Sequence, residues 1–202
     1  MQIIKVASLL LASALLSACS GSWRVDYPEP LSGATSRTWH VSSINVSVPD
    51  SLSVSDENTY APNADIVWHG DPVGDRRVQV RNVMQDGLRQ GVSVLRGARP
   101  VQMNVELVEF HAVTPIAVNN APGAVHNIRF NVQMVDARTG AALTQGTQIS
   151  ADLGANVGAT AVISAQQGQT QKVRIRDHLS RVIRGWLGVG PDPRGVFTGV
   201  GR

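Results

Sequence analysis

The chain holds a single cysteine, Cys19, in 202 residues, so no disulfide can form within it. Lysine is almost as scarce: only Lys5 and Lys172 occur, and the other basic residues are arginines scattered along the sequence. Charge of either sign is low, and a formal balance of +3 is too small for the electrostatic footprint of a nucleic-acid-binding protein. No apolar run approaches the roughly 20 residues that a membrane-spanning helix requires. Two further signatures are missing: a Gly-x-Ser-x-Gly nucleophile elbow, and a glycine-rich phosphate loop between strand and helix. Hydrolase chemistry and nucleotide binding are thus unsupported, and no catalytic residue and no cofactor is assigned. With 43% apolar residues and the length of one ordinary domain, the chain is expected to build a single core without disulfides or a structural metal.

What is present begins at the N-terminus. Lys5 precedes an apolar stretch from Val6 to Leu16 broken only by small serines, which reads as an export signal over residues 1–18. The run Leu16-Ser17-Ala18-Cys19 resembles a bacterial lipobox, in which small residues fit the signal-peptidase cleft and the thiol of Cys19 receives diacylglycerol before cleavage. The resemblance implies two or three acyl chains. One chain holds a protein only marginally, at about 0.8 kcal/mol per buried methylene, whereas two or three hold it stably. Ser20, rather than an aspartate, follows the cysteine, and in such lipoproteins that implies the outer membrane, facing the periplasm.

Beyond Cys19, residues 19–38 are rich in Ser, Gly and Pro and are expected to form a flexible tether. A single domain is expected over 39–188, followed by a flexible tail over 189–202. Within it, Val41, Ile44, Val46 and Val48 suggest a strand over 39–54, with Pro49 marking an edge or an end. After a loop, Val80, Val83, Met84, Leu88, Val92 and Leu95 recur at helical spacing over 76–95. Gly87 and Gly91 weaken that helix, and their spacing suggests close packing on a sheet. Val101, Met103, Val105 and Leu107 then alternate with polar residues, as do Ile128, Phe130, Val132 and Met134, which predicts an antiparallel hairpin. A turn over 136–140 leads to a third strand around 142–153, and a last helix over 171–187 ends at Gly188. The order strand-helix-strand-strand-strand-helix predicts an α+β fold: a mostly antiparallel sheet of about four strands with two long helices packed on one face.

Three clusters are candidates for chemistry. A hairpin centred between His111 and His126 would set the two imidazoles opposite one another on one face, but a structural metal site needs about four ligands, so no metal is assigned. Asp71, Asp75, Arg76 and Arg77 read either as a capped helix start with arginines facing water or as a polar site. Lys172, Arg174, Arg176, Arg181 and Arg184 make the last helix basic on its polar side, which could face solvent, anionic lipid or an acidic partner.

The layout and lipobox resemble small envelope lipoproteins such as auxiliary subunits of lipid-transport ABC systems and penicillin-binding-protein activators. The runs Gly70-Asp71-Pro72, Glu109-Phe110-His111, Asp136-Ala137-Arg138-Thr139-Gly140 and Gln169-Thr170-Gln171-Lys172-Val173-Arg174-Ile175 resemble an uncharacterised family of Gram-negative envelope lipoproteins. The expectation is a non-catalytic accessory or interaction module, attached to the membrane through its lipid and binding an envelope protein, with no nucleic-acid partner. A carrier of a small apolar ligand held between sheet and helices is the alternative, and an enzyme built on the polar loop at 71–77 is a third.

Overall fold

The computed structural model describes residues 22–196 and 198–200. Its spine is strand β5 (Arg99–His111), which is bonded along both edges. On one edge, β2 (Trp39–Ser47) runs parallel to it from Arg99 to Glu106, and the short β4 (Ile66–Val67) continues the same edge beside Phe110 and His111. On the other edge, β6 (Val125–Asp136) is antiparallel. The short β3 (Val54–Ser55) adds to β4, while β7 (Thr147–Ala151) and β8 (Leu153–Gly154) both pair with β6. Beyond β7 come β1 (Ser22–Asp26) and β9 (Thr198–Val200), which complete a nine-stranded mixed sheet.

This corrects the expected mostly antiparallel, four-stranded sheet. The chain passes from β2 to β5 through helix α2 (Arg76–Val92), and such a crossover returns it parallel to where it started. Alternation reports that a strand exists, not which way its neighbour runs. The pairs β3 and β4 contain two residues each, too few to show any period. Helices number five among the described residues, not two: α1 (Gly33–Ser36), α3 (Pro115–Asn120) and α4 (Gly158–Gln166) join α2 and α5 (Gln171–Trp186).

The segment expected as a tether carries β1 and α1 from Ser22 onward. Tyr27 supplies what a tether lacks, an aromatic ring to bury. Its hydroxyl donates to Asp192 at 2.8 Å, Arg194 stacks 4.8 Å from its ring centroid, and Leu31 N–H donates to the Trp186 carbonyl at 2.7 Å. Residues 192–194 of the expected flexible tail are thus held against the N-terminal segment. Cys19 and the rest of the lipobox lie outside the described residues.

The core is one cluster built from the inward side chains of β5 and β6 and the apolar faces of α2 and α5, with Met84, Leu88, Phe130, Ile183 and Trp186 all essentially inaccessible. Gly87 and Gly91 turn toward α5, not toward the sheet. A Cβ on Gly87 would lie 2.8 Å from the Arg176 carbonyl oxygen, and one on Gly91 would lie 2.0 Å from Ile183 Cγ2. The two helix backbones therefore approach as only glycine permits. At the far end of α5, Gly188 adopts φ +66. The Gly188 and Val189 amides donate back to Gly185 and Arg184 at 2.9 and 3.0 Å, a Schellman closure.

Gly91→Val should lower stability by about 2 kcal/mol through overpacking. Gly146→Ala, whose new methyl meets nothing within 4 Å, should change it by less than about 0.5 kcal/mol. Urea midpoints check both, and equal midpoints for the two variants would mean that α2 and α5 are not in this contact.

Candidate functional site

The register of the central pair decides where the histidines go. Up to Leu107, which faces Phe130, the pairing would place His111 opposite His126. A bulge between Leu107 and Glu109 advances β5 by one residue, so that His111 faces Asn127 instead. Neighbouring residues on a strand point to opposite faces, so His126 turns into the core and His111 turns away from it. The expected pair on one face does not exist. His111 Nδ1 instead lies 3.2 Å from the Ala64 carbonyl oxygen.

His126 lies at the rim of the core, where β6 begins. It is 1% exposed, and its Nδ1 accepts the Val113 amide hydrogen at 3.2 Å. A backbone amide can only donate, so Nδ1 carries no proton and the neutral ring keeps its hydrogen on Nε2. That Nε2 is buried and meets no acceptor among the described residues. Burial, reinforced by the charges of Arg174 and His178, pulls the His126 pKa down to about 3. The ring is therefore a neutral, fixed donor.

Around it is a cavity of about 320 Å³, lined by His69, Val113, Val118, His126, Ala161 and Arg174 among others. Helix α5 begins at its edge: Thr170 caps the helix by accepting from Val173 N–H at 3.4 Å, and Gln171 Nε2 donates to the Val113 carbonyl at 2.8 Å. Lys172 Nζ reaches Asp71 at 2.6 Å, and the other carboxylate oxygen of Asp71 accepts from the buried Trp68 indole at 2.8 Å. Burial alone would raise the Asp71 pKa, but the Lys172 and Trp68 hydrogen bonds outweigh it and leave it lowered. Gly70 allows this fold-back, since a Cβ there would lie 2.4 Å from the Trp68 ring. Arg174 donates to the Gly154 carbonyl at 2.8 Å and forms no ion pair among the described residues. Its basicity is lowered first by burial and then by Arg181. On the outer side, Ala161, Ser164 and Ala165 of α4 form the wall, and α4 is bracketed by Gly158 and Gly168 at positive φ.

The other sequence candidates resolve into structural roles. Asp75 caps α2 by accepting from Val78 N–H at 3.1 Å. Arg76, expected to face water, is buried and bonds Asp56 at 2.6 Å, while Arg77 donates to the carbonyls of Pro49, Asp50 and Leu52. Of the basic residues on α5, Arg184 donates to the carbonyls of Gln90 and Gly91. Across the opposite face of the sheet lies a shallow concavity of about 660 Å³. Amides in it and beside it bond one another: Asn45 to Asn104 at 3.2 Å, Gln102 to Asn104 at 2.7 Å and Gln148 to Asn131 at 3.5 Å. That face pairs these amides with one another, whereas at the rim cavity the His126 Nε2–H has no acceptor among the described residues. Among the described residues, no group of three or more His, Cys, Asp or Glu side chains is gathered as a metal would require, and no helix is long and apolar enough to cross a membrane.

One family model matches residues 39–201, which is most of the chain. The protein belongs to a family of unknown function, DUF6778. No curated protein matches it. Among solved structures, a candidate lipoprotein from Caulobacter crescentus is 17% identical with a TM-score of 0.30, covering 54% of this chain and 83% of its own. A dodecameric PelC from Paraburkholderia phytofirmans is 11% identical with a TM-score of 0.32, covering 80% and 97%. At these scores neither likeness bears on function. What DUF6778 membership establishes is the family; the likeness to transport auxiliaries and penicillin-binding-protein activators stays a resemblance of sequence layout.

The buried histidines give the fold a pH dependence. Burial also depresses His178, to about 4, with Arg181 adding to the effect and the backbone at Asp152 and Ala151 opposing it. Unfolded, both rings protonate near 6.5. The stability from keeping them neutral is complete above that value and is lost as pH falls toward the folded-state pKa values, at up to about 1.4 kcal/mol per pH unit for each ring. Urea midpoints should fall from neutral pH to about pH 4.5, and His178→Gln should fall along a shallower slope. Parallel slopes would show that His178 is not held neutral in the fold.

Proposed function

We propose that this protein is a lipid-anchored component of the bacterial envelope, on the periplasmic side of the outer membrane, whose domain is a non-catalytic accessory module that binds through the rim cavity. The observation that carries the binding half is the buried His126 ring, which lines the cavity and whose Nε2–H has no acceptor among the described residues. Leaving such a donor unmade costs about 1–3 kcal/mol, a cost that a bound acceptor removes. The anchoring half rests on the apolar leader and on Leu16-Ser17-Ala18-Cys19.

In this reading the domain sits close to the membrane. Strand β1 begins at Ser22, so two residues separate it from Cys19, a reach of roughly 10 Å even when extended. The space between the sheet and α2 or α5, which an apolar carrier would use, is filled by side chains such as Met84, Leu88 and Trp186. A ligand fits at the rim instead. No carboxylate lines the cavity, and burial holds its His126 as a neutral, fixed donor, which favours binding over acid–base work at that ring.

Cys19→Ser should leave the urea midpoint unchanged, because Cys19 precedes every described element, while abolishing acylation and releasing the protein from the membrane when it is exported behind an ordinary cleavable signal. Fractionation and intact-mass measurement check this. A wild-type Cys19 without lipid, together with a variant that still sediments with membranes in high salt, would contradict the anchor.

A further inference from the structure

The charge around the cavity specifies the ligand. Two cations line it, Lys172 and Arg174, and no carboxylate does. Lys172 is already neutralised by Asp71 at 2.6 Å. Arg174 is not: its hydrogen-bond partner among the described residues is the neutral Gly154 carbonyl at 2.8 Å, and the charge that acts on it most is another cation, Arg181. One positive charge is therefore left uncompensated in a partly buried setting, which is costly without an anion. Beside it are the His126 Nε2–H donor and the first turn of α5, whose leading amides have no acceptor within the helix and whose dipole favours negative charge. Val113, Pro115, Val118, Ala161 and Ala165 supply apolar wall to the same cavity.

From this we infer that the rim cavity of DUF6778 binds a small monocarboxylic acid, its carboxylate held by Arg174, His126 Nε2–H and the α5 N-terminus, and its short apolar body lying against Val113, Val118 and Ala161. The inference rests on the reading of this cavity as the binding site. A single uncompensated charge suits a monoanion better than a phosphate dianion. The planar fork of Arg174 and one fixed N–H match the two oxygens of a carboxylate. The ring of His126 does not change charge on binding, since burial keeps it neutral far below physiological pH.

Calorimetric titration of the mature protein with acetate, butyrate and hexanoate, each beside its primary amide, and with inorganic phosphate tests the assignment. The carboxylates should bind, more tightly as the chain lengthens, and each amide should bind at least about tenfold more weakly. Arg174→Gln should weaken butyrate at least about tenfold and leave its amide unchanged. The wild-type comparison of acid with amide needs no variant, so it stands even if Arg174→Gln fails to fold. Acid and amide binding equally would overturn the carboxylate assignment while leaving the cavity a binding site. Phosphate binding more tightly than any carboxylate would overturn the monoanion assignment. No binding by any of these probes would overturn both the inference and the site it rests on.

Discussion

The contact between α2 and α5 at Gly87 and Gly91 is the constraint on which the other elements depend. Without side chains at these positions the two helices lie flush, and α5 can bury Ile175, Leu179, Val182, Ile183 and Trp186 completely between α2 and the sheet. Each glycine weakens α2 by up to about 1 kcal/mol relative to alanine, and the tight packing offsets that loss. Because α5 is fixed along its length and closed at its far end by Gly188, its first turn has one available position, at the rim, beside β6 and β8. Thr170, Gln171, Lys172 and Arg174 come to the cavity as a consequence of core packing.

A second constraint acts through the sheet. One bulged residue in β5 changes which face each later side chain of that strand takes, and so turns His111 out of the core, while His126, in phase with Ile128 and Phe130 on β6, stays in it as a ring bonded to Val113. The same advance keeps Phe110 in the core, where it meets Trp68 edge-to-face at 5.6 Å. Trp68 in turn holds Asp71 through its indole, and Asp71 holds Lys172. The bulge, the aromatic pair and the ion pair thus form one connected chain of contacts from the central strand to the cavity.

The long periodic elements were legible in the sequence. Helices α2 and α5 begin at the expected residues, the alternating runs 101–107 and 128–134 lie inside the longer β5 and β6, and β7 falls within 142–153, because each element buries one face against a single core and so displays a clean period. The break in alternation between Val41 and Ile44 is itself the β2 bulge, visible in the spacing once the register is known. What could not be read is the direction of pairing, which α2 imposes as a crossover, and the order in 22–38, which depends on Tyr27 meeting Asp192 at a separation of 165 residues. The cavity was only partly legible. His126, Lys172, Arg174 and Asp71 stood out as polar residues, but His126 was paired with the wrong partner, and Gln171, His69 and Asn156 carry no local signal that would join them to it.

The functional account depends on one hydrogen: His126 must be neutral, with its proton on Nε2 and no protein acceptor for it. Nitrogen-resolved NMR of the imidazole at neutral pH measures this directly. The account predicts a protonated Nε2, a bare Nδ1 facing Val113, and a downfield movement of the Nε2–H resonance when butyrate is added. A ring protonated on Nδ1, or an imidazolium at neutral pH, would contradict it.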